Sequence, residues 1–188
     1  MHERNTKIIE AAFRMFARYG VKRTGMGDIA KEAGVARQTL YNAFSSKDEV
    51  LSATIDLFTE RTLANIRAAL TGQATLEDQL DLILDHLSVK PYDMLNATPN
   101  AQDIVEGFNN AGQVAIKSGD RQFRKLLSGV LSPYAAAIEA SGYTVEQLAD
   151  FVQVTASSSK QKARSRKHLL QLLRTLKLSV LVAADQVG

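Results

Sequence analysis

The segment Asp28-Ile-Ala-Lys-Glu-Ala-Gly-Val-Ala-Arg-Gln-Thr-Leu-Tyr-Asn-Ala-Phe44 constrains what this chain can fold into more than any other stretch. It reads as two short helices joined by a tight turn. Ile29 and Ala33 stand four apart and share one face of the first helix, while Ala30 is small where a second helix must cross closely. Gly34 supplies the permissive backbone that ends the first helix and turns the chain. The second helix is expected from about Ala36 to Phe44. At about 100° per residue, Leu40 centres its buried face, with Phe44 and Ala43 beside it. Gln38 and Asn42 then fall on the opposite side, with Thr39 and Tyr41 on the flanks and Arg37 in the first turn. Any amphipathic helix turns polar residues outward. What favours a helix-turn-helix is that Ala30, Gly34 and Leu40 all fall in register. Two amides four residues apart can then enter a DNA groove together, where Asn and Gln each pair with adenine N6 and N7.

The flanks agree. Helix one, about Thr6 to Tyr19, carries Ile9, Ala12, Phe13, Phe16 and Ala17 at helical spacing, the core of a three-helix domain. Thr24 or Gly25 can cap the next helix, and Ser45 or Ser46 the one after Phe44. Lys47 is electrostatically out of place at a helix N-terminus; a phosphate would justify it, and a plain surface lysine is the alternative.

Residues 1–50 hold nine Lys or Arg against six acids, and residues 51–188 hold fourteen of each. The net positive charge therefore lies on the quarter that carries the expected helix-turn-helix, in the sense that phosphate attraction requires. With no cysteine, disulfides and thiolate metal sites are excluded. The N-terminal stretch does not read as a secretory signal, and the leucine-rich C-terminal run is broken by Gln171, Arg174 and Lys177. A cytoplasmic protein with no membrane partner is expected.

The run Thr24…Asp28-Ile-Ala…Ala33-Gly-Val-Ala-Arg-Gln-Thr-Leu-Tyr-Asn-Ala-Phe-Ser-Ser-Lys-Asp-Glu-Val50, with Ile8 to Gly20 before it, resembles the DNA-binding domain of TetR-type (TetR/AcrR) transcriptional regulators. The resemblance implies an all-α fold: an N-terminal three-helix helix-turn-helix domain (1–50) joined by a long helix to a larger effector-binding and dimerisation domain (51–188). It implies DNA contacts from Thr24, Arg37, Gln38, Thr39, Tyr41, Asn42 and Lys47. It further implies a homodimer on a palindromic double-stranded operator, most commonly a repressor released by a small-molecule effector. An activator of the same fold, or a helical adaptor without DNA binding, stays open. Two positions depart from the family pattern. Ala36 stands where a capping Ser or Thr is usual, a difference of about 1 kcal/mol in local helix stability, and Gly27 sits in a first helical turn.

Downstream, a helix from about Lys47 to Leu70 keeps one apolar stripe and is long enough to serve as a lever between domains. Further helices are expected at about 75–89, 99–111, 119–140, 144–157 and 165–186. They are punctuated by Lys90-Pro91, Thr98-Pro99, Ser118-Gly119 and Ser141-Gly142, with Ser132-Pro133 kinking the helix expected at 119–140. Helices 144–157 and 165–186 offer Leu148, Phe151, Val152, Leu169, Leu172, Leu173, Leu176 and Val180 for a four-helix dimer interface. A central helix buried within a monomer is the alternative. Tyr92, Met94, Asp103, Glu106, Phe108 and Phe123 are candidates for an effector site, against ordinary core and solvated acidic surface. Lys160-Gln-Lys-Ala-Arg-Ser-Arg-Lys167 reads as a solvated loop. His2, His86 and His168 are scattered, and neither a glycine-rich phosphate loop nor metal-ligand spacing is present. No enzyme, cofactor or metal is expected.

Overall fold

The computed structural model describes residues 3–98, 100, 104 and 109–185. Every regular element among them is helical: α1 (Glu3–Tyr19), α2 (Met26–Ala33), α3 (Arg37–Ala43), α4 (Lys47–Leu70), α5 (Leu76–Leu84), α6 (Lys90–Ala97), α7 (Asn110–Leu131), α8 (Ala135–Ala140), α9 (Val145–Lys162) and α10 (Arg166–Ala183). The chain divides into two compact units, one of residues 1–61 with 94–119, the other of 62–93 with 120–188.

In the first unit α1 packs on α2 and α2 on α3. Ile8, Ile9, Phe16, Ile29, Leu40, Val50 and Leu51 have no more than 1% of their surface exposed and form one apolar core. Full burial of a side chain such as Leu40 is worth about 1.5–3 kcal/mol. Phe13 meets Phe58 of α4 with ring centroids 4.1 Å apart. The surface pairs Arg14–Glu32 and Arg61–Glu10 join α1 to α2 and α4, and at their exposure they add little. Gly119 does not start or stop a helix, because α7 runs through it. The Thr59 side chain lies 3.1 Å from where a Cβ would stand, so glycine is there to admit a close helix crossing. Sequence punctuation had suggested a boundary at that point.

The second unit has its own core, centred on Leu63, Ile66, Leu80, Ile83, Leu127, Leu131, Val152, Leu169 and Val180. Thr75 and Thr144 cap α5 and α9, each accepting from the backbone N–H three residues on at 3.1 Å. Lys177 on α10 donates at 2.8 Å to both Glu77 and Asp81, neighbours one turn apart on α5. Burial by itself lowers the Lys177 pKa, but the bonds to Asp81 and Glu77 outweigh it and the net shift is upward. By linkage that contribution is present at neutral pH and fades only as alkali deprotonates the amine.

The expected break at Lys90-Pro91 is absent. Instead α5 passes through one π-helical turn, Asp85–Val89, directly into α6. Pro91 has no N–H to give to the carbonyl four residues back. That carbonyl, Leu87, receives the Lys160 ammonium at 3.5 Å, and the Ser88 hydroxyl within the same turn donates to Ala156 at 2.9 Å. The wider turn is thus fastened to α9. Ser132-Pro133 produces the expected irregularity, a 3-10 turn over Ser132–Tyr134.

Candidate functional site

The local geometry of residues 25–50 builds a helix-turn-helix. Asp28 reaches back to accept from the Gly25 N–H at 2.9 Å, closing the start of α2. Gly34 ends α2 at φ 65°, a left-handed conformation, and the Val35 N–H bonds Ala30 O at 3.0 Å. An L side chain at Gly34 would be strained. Ala36 takes the N-cap position of α3 with extended backbone and no side-chain bond. Ser46 caps α4 by accepting from the Glu49 N–H at 3.2 Å, while Glu49 accepts from the Ser45 N–H and hydroxyl.

On α3, Leu40 is fully buried and Gln38 and Asn42 are exposed on the far side. The Gln38 Nε2 donates to Asn42 Oδ1 at 2.9 Å, so the two amides converge on one patch. Arg37 lies over the Tyr41 ring at 5.6 Å from its centroid, a cation–π contact that holds both on one flank. Thr39 is half-buried on the other.

Thr24 and Lys47 are engaged differently. Thr24 is 2% exposed, and its hydroxyl donates to Gly20 O at 2.8 Å and Met15 O at 3.3 Å. The Lys47 ammonium donates to the carbonyls of Val21, Thr24 and Lys22 at 2.8, 3.0 and 3.4 Å. An ammonium has three N–H donors, and all three find backbone acceptors in the loop before α2. This explains a cation in the first turn of α4 without any external anion. Sequence reasoning placed both residues toward phosphate; in the folded chain they tie that loop down.

Of the effector candidates, Tyr92 and Phe123 pack against the core of the second unit, and Met94 is half-buried in the first. Asp103, Glu106 and Phe108 lie outside the described residues, as does His2. A polar cluster that the sequence did not single out occupies the second unit. Gln153, 2% exposed, donates to Asp120 at 2.6 Å and to Ser157 at 3.2 Å. Burial raises the Asp120 pKa and lowers that of Lys160, while their mutual attraction opposes both shifts. Lys160 therefore belongs to the interior end of α9 and not to a solvated loop; α9 continues to Lys162, and the break before α10 is confined to residues 163–165. The only sequence hint was its place one turn after Ala156, on the buried side of an extended α9.

Six of the eight side chains expected at a dimer interface, Leu148, Val152, Leu169, Leu173, Leu176 and Val180, are buried in the core of their own unit. Leu172 is half-buried and Phe151 is exposed. The apolar side chains left outward on α9 and α10 are Phe151, Val154, Leu170, Leu178 and Val182, between 43% and 64% exposed. A helix apolar around most of its circumference has two apolar faces, and periodicity does not say which one turns inward.

Residues 8–61 match the model of bacterial regulatory proteins of the tetR family. Over these residues the chain is similar to the TetR family. The chain is 45% identical over 79 residues to the regulator TtgR of Pseudomonas putida, covering 42% of this chain and 35% of that one. It is 29% identical over 137 residues to the repressor KstR2 of Rhodococcus jostii, covering 68% and 63%. The YvdT regulator of Bacillus subtilis is 33% identical over 79 residues, 42% of this chain and 41% of its own. The chain thus spans roughly a third to two thirds of the length of these relatives. In three dimensions it is similar to a transcriptional regulator from Rhodococcus sp. Rha1, with TM-score 0.75 and 19% identity over 98% of this chain and 99% of that one. FadR of Bacillus subtilis in complex with stearoyl-CoA gives TM-score 0.68 and 18% identity over 97% and 99%. At these identities the structures speak for the fold alone. Among the described residues, no helix is long and apolar enough to cross a membrane.

Proposed function

We propose that this chain is a TetR-family, dimeric, sequence-specific DNA-binding regulator, a repressor released from a palindromic operator by a small-molecule effector. The DNA-binding role belongs to residues 1–50, and the effector and dimer roles to 51–188. The observation that carries the reading is α3 itself. Leu40 anchors it, and Gln38 and Asn42 converge on the opposite face, flanked by Arg37, Thr39 and Tyr41. Such an arrangement suits direct reading of base edges in the major groove, with the first turn of the helix nearest the bases. Thr24 and Lys47 tie down the loop before α2, and the charge of Lys47 adds to the attraction for phosphate.

A lone seven-residue reading helix contacts few base pairs. A two-fold dimer sums two half-sites about 34–36 Å apart, and the exposed apolar side chains of α9 and α10 supply a surface for it. An effector relieves repression only by binding the DNA-competent and incompetent conformations with different affinity. That a structurally similar FadR is described in complex with stearoyl-CoA supports a small-molecule effector.

Salt tests the electrostatic part. For six or more phosphate contacts, affinity for duplex DNA measured by fluorescence anisotropy is expected to fall about a thousandfold or more between about 50 and about 200 mM salt. A flat response would contradict contact with the phosphate backbone.

A further inference from the structure

Gly129 lies in α7, four residues beyond Lys125, and its φ is not in the left-handed region. Glycine in a helix is costly against alanine, so it calls for a reason. Gly119 on the same helix has one, since Thr59 fills the space where a Cβ would go. Among the described residues nothing stands within 4 Å of that position at Gly129. Neither its backbone conformation nor packing by the described residues accounts for it. What the missing side chain leaves is the floor of a groove of about 650 Å³ in the second unit, between the end of α4, α5 and α7. Its apolar wall is Leu70, Leu126, Val130 and Pro133. Arg67 and Lys125 also line it, and no carboxylate of the described residues does. Among the described residues neither cation has an acidic partner, whereas Arg124, the neighbour of Lys125, is paired with Asp150.

We propose that this groove is a binding site for an amphipathic organic anion: a carboxylate or phosphate held between Arg67 and Lys125, with its apolar body laid over Gly129 along α7. The volume falls in the range of small-molecule sites. From Gln122 to Val130 the helix advances about 12 Å at 1.5 Å per residue, room for a medium-length alkyl chain. Unpaired cations beside an apolar wall favour a ligand carrying both characters over a neutral lipid or a cation. The groove lies within residues 51–188, to which the small-molecule effector role is assigned above, so the proposal rests on that reading and names the chemical class of the effector.

The test is calorimetric titration of the full chain, without DNA, with decanoate, decyl phosphate and neutral decanol, all below their aggregation thresholds. Wild type is expected to bind both anions and to prefer them to decanol by about tenfold or more. G129L places a side chain in open space, so thermal stability is expected to hold or rise while anion binding falls at least about tenfold. The double variant R67Q/K125Q is expected to lose the preference for anions over decanol. Undiminished anion binding by folded G129L would overturn the proposal, as would equal binding of decanol and decanoate by wild type. Absence of binding by either anion would also overturn it, and would leave the groove to a macromolecular partner. Because DNA is absent from the titration, none of these results depends on the operator reading.

Discussion

Replacing Gln38 and Asn42 together by alanine is expected to lower affinity for the cognate operator by at least about 100-fold. Each bidentate amide–adenine pair is worth about 1–3 kcal/mol, and a dimer carries the loss in both half-sites. Stability is expected to change little. Both residues are exposed, their bond is to each other, and alanine is the better helix former. Weak, sequence-independent binding at low salt is expected to persist, because Arg37 and the other basic groups of residues 1–50 are untouched. Anisotropy titrations with the operator and a scrambled duplex, beside thermal melts, measure all three quantities. Equal operator affinity for variant and wild type would remove α3 as the reading element and favour a helical adaptor.

The second large effect concerns the outward faces of α9 and α10. Phe151 and Leu178 are 49% and 45% exposed, so a glutamate at both positions leaves the core of the unit intact. In a dimer it would bury unpaired charge in an apolar interface, which costs several kcal/mol. F151E/L178E is therefore expected to shift the light-scattering mass from twice 20.6 kDa to 20.6 kDa, with helical circular dichroism preserved. Operator affinity should fall with it, since one half-site no longer adds to the other. A variant that stays dimeric would show that subunits meet elsewhere. One that becomes monomeric yet binds the operator undiminished would sever dimerisation from DNA reading.

How far the sequence reached depended on the range of the interactions involved. Residues 28–44 were legible because their signals are local: Gly34 turns the chain, Leu40 anchors, and the amides fall opposite at fixed angles. The uncapped start of α3 at Ala36 was legible for the same reason. Long-range contacts produced the departures. Gly119 looked like a terminator but answers to Thr59, sixty residues earlier. Pro91 looked like a break, yet the π turn and α9 together absorb its missing donor. Lys47 and Lys160 carry charges that suggested phosphate and solvent, and each instead meets backbone carbonyls brought close only by folding. The two apolar faces of α10 were legible as a pair, but only the packed unit shows that Leu169, Leu173 and Leu176 turn inward while Leu170 and Leu178 do not. Gly129 carried no signal in the sequence beyond being a glycine in a helical stretch.

The most direct measurement of the central claim is selection of DNA bound by the wild-type chain from a random duplex pool, followed by sequencing. Two reading helices related by a two-fold axis are expected to enrich a palindrome whose half-sites are separated by about one helical turn or a multiple of it. That motif should disappear when the selection is repeated with the Gln38 and Asn42 double alanine variant. Enrichment of a single asymmetric half-site would contradict the dimer, and no enrichment at all would contradict sequence-specific reading by α3.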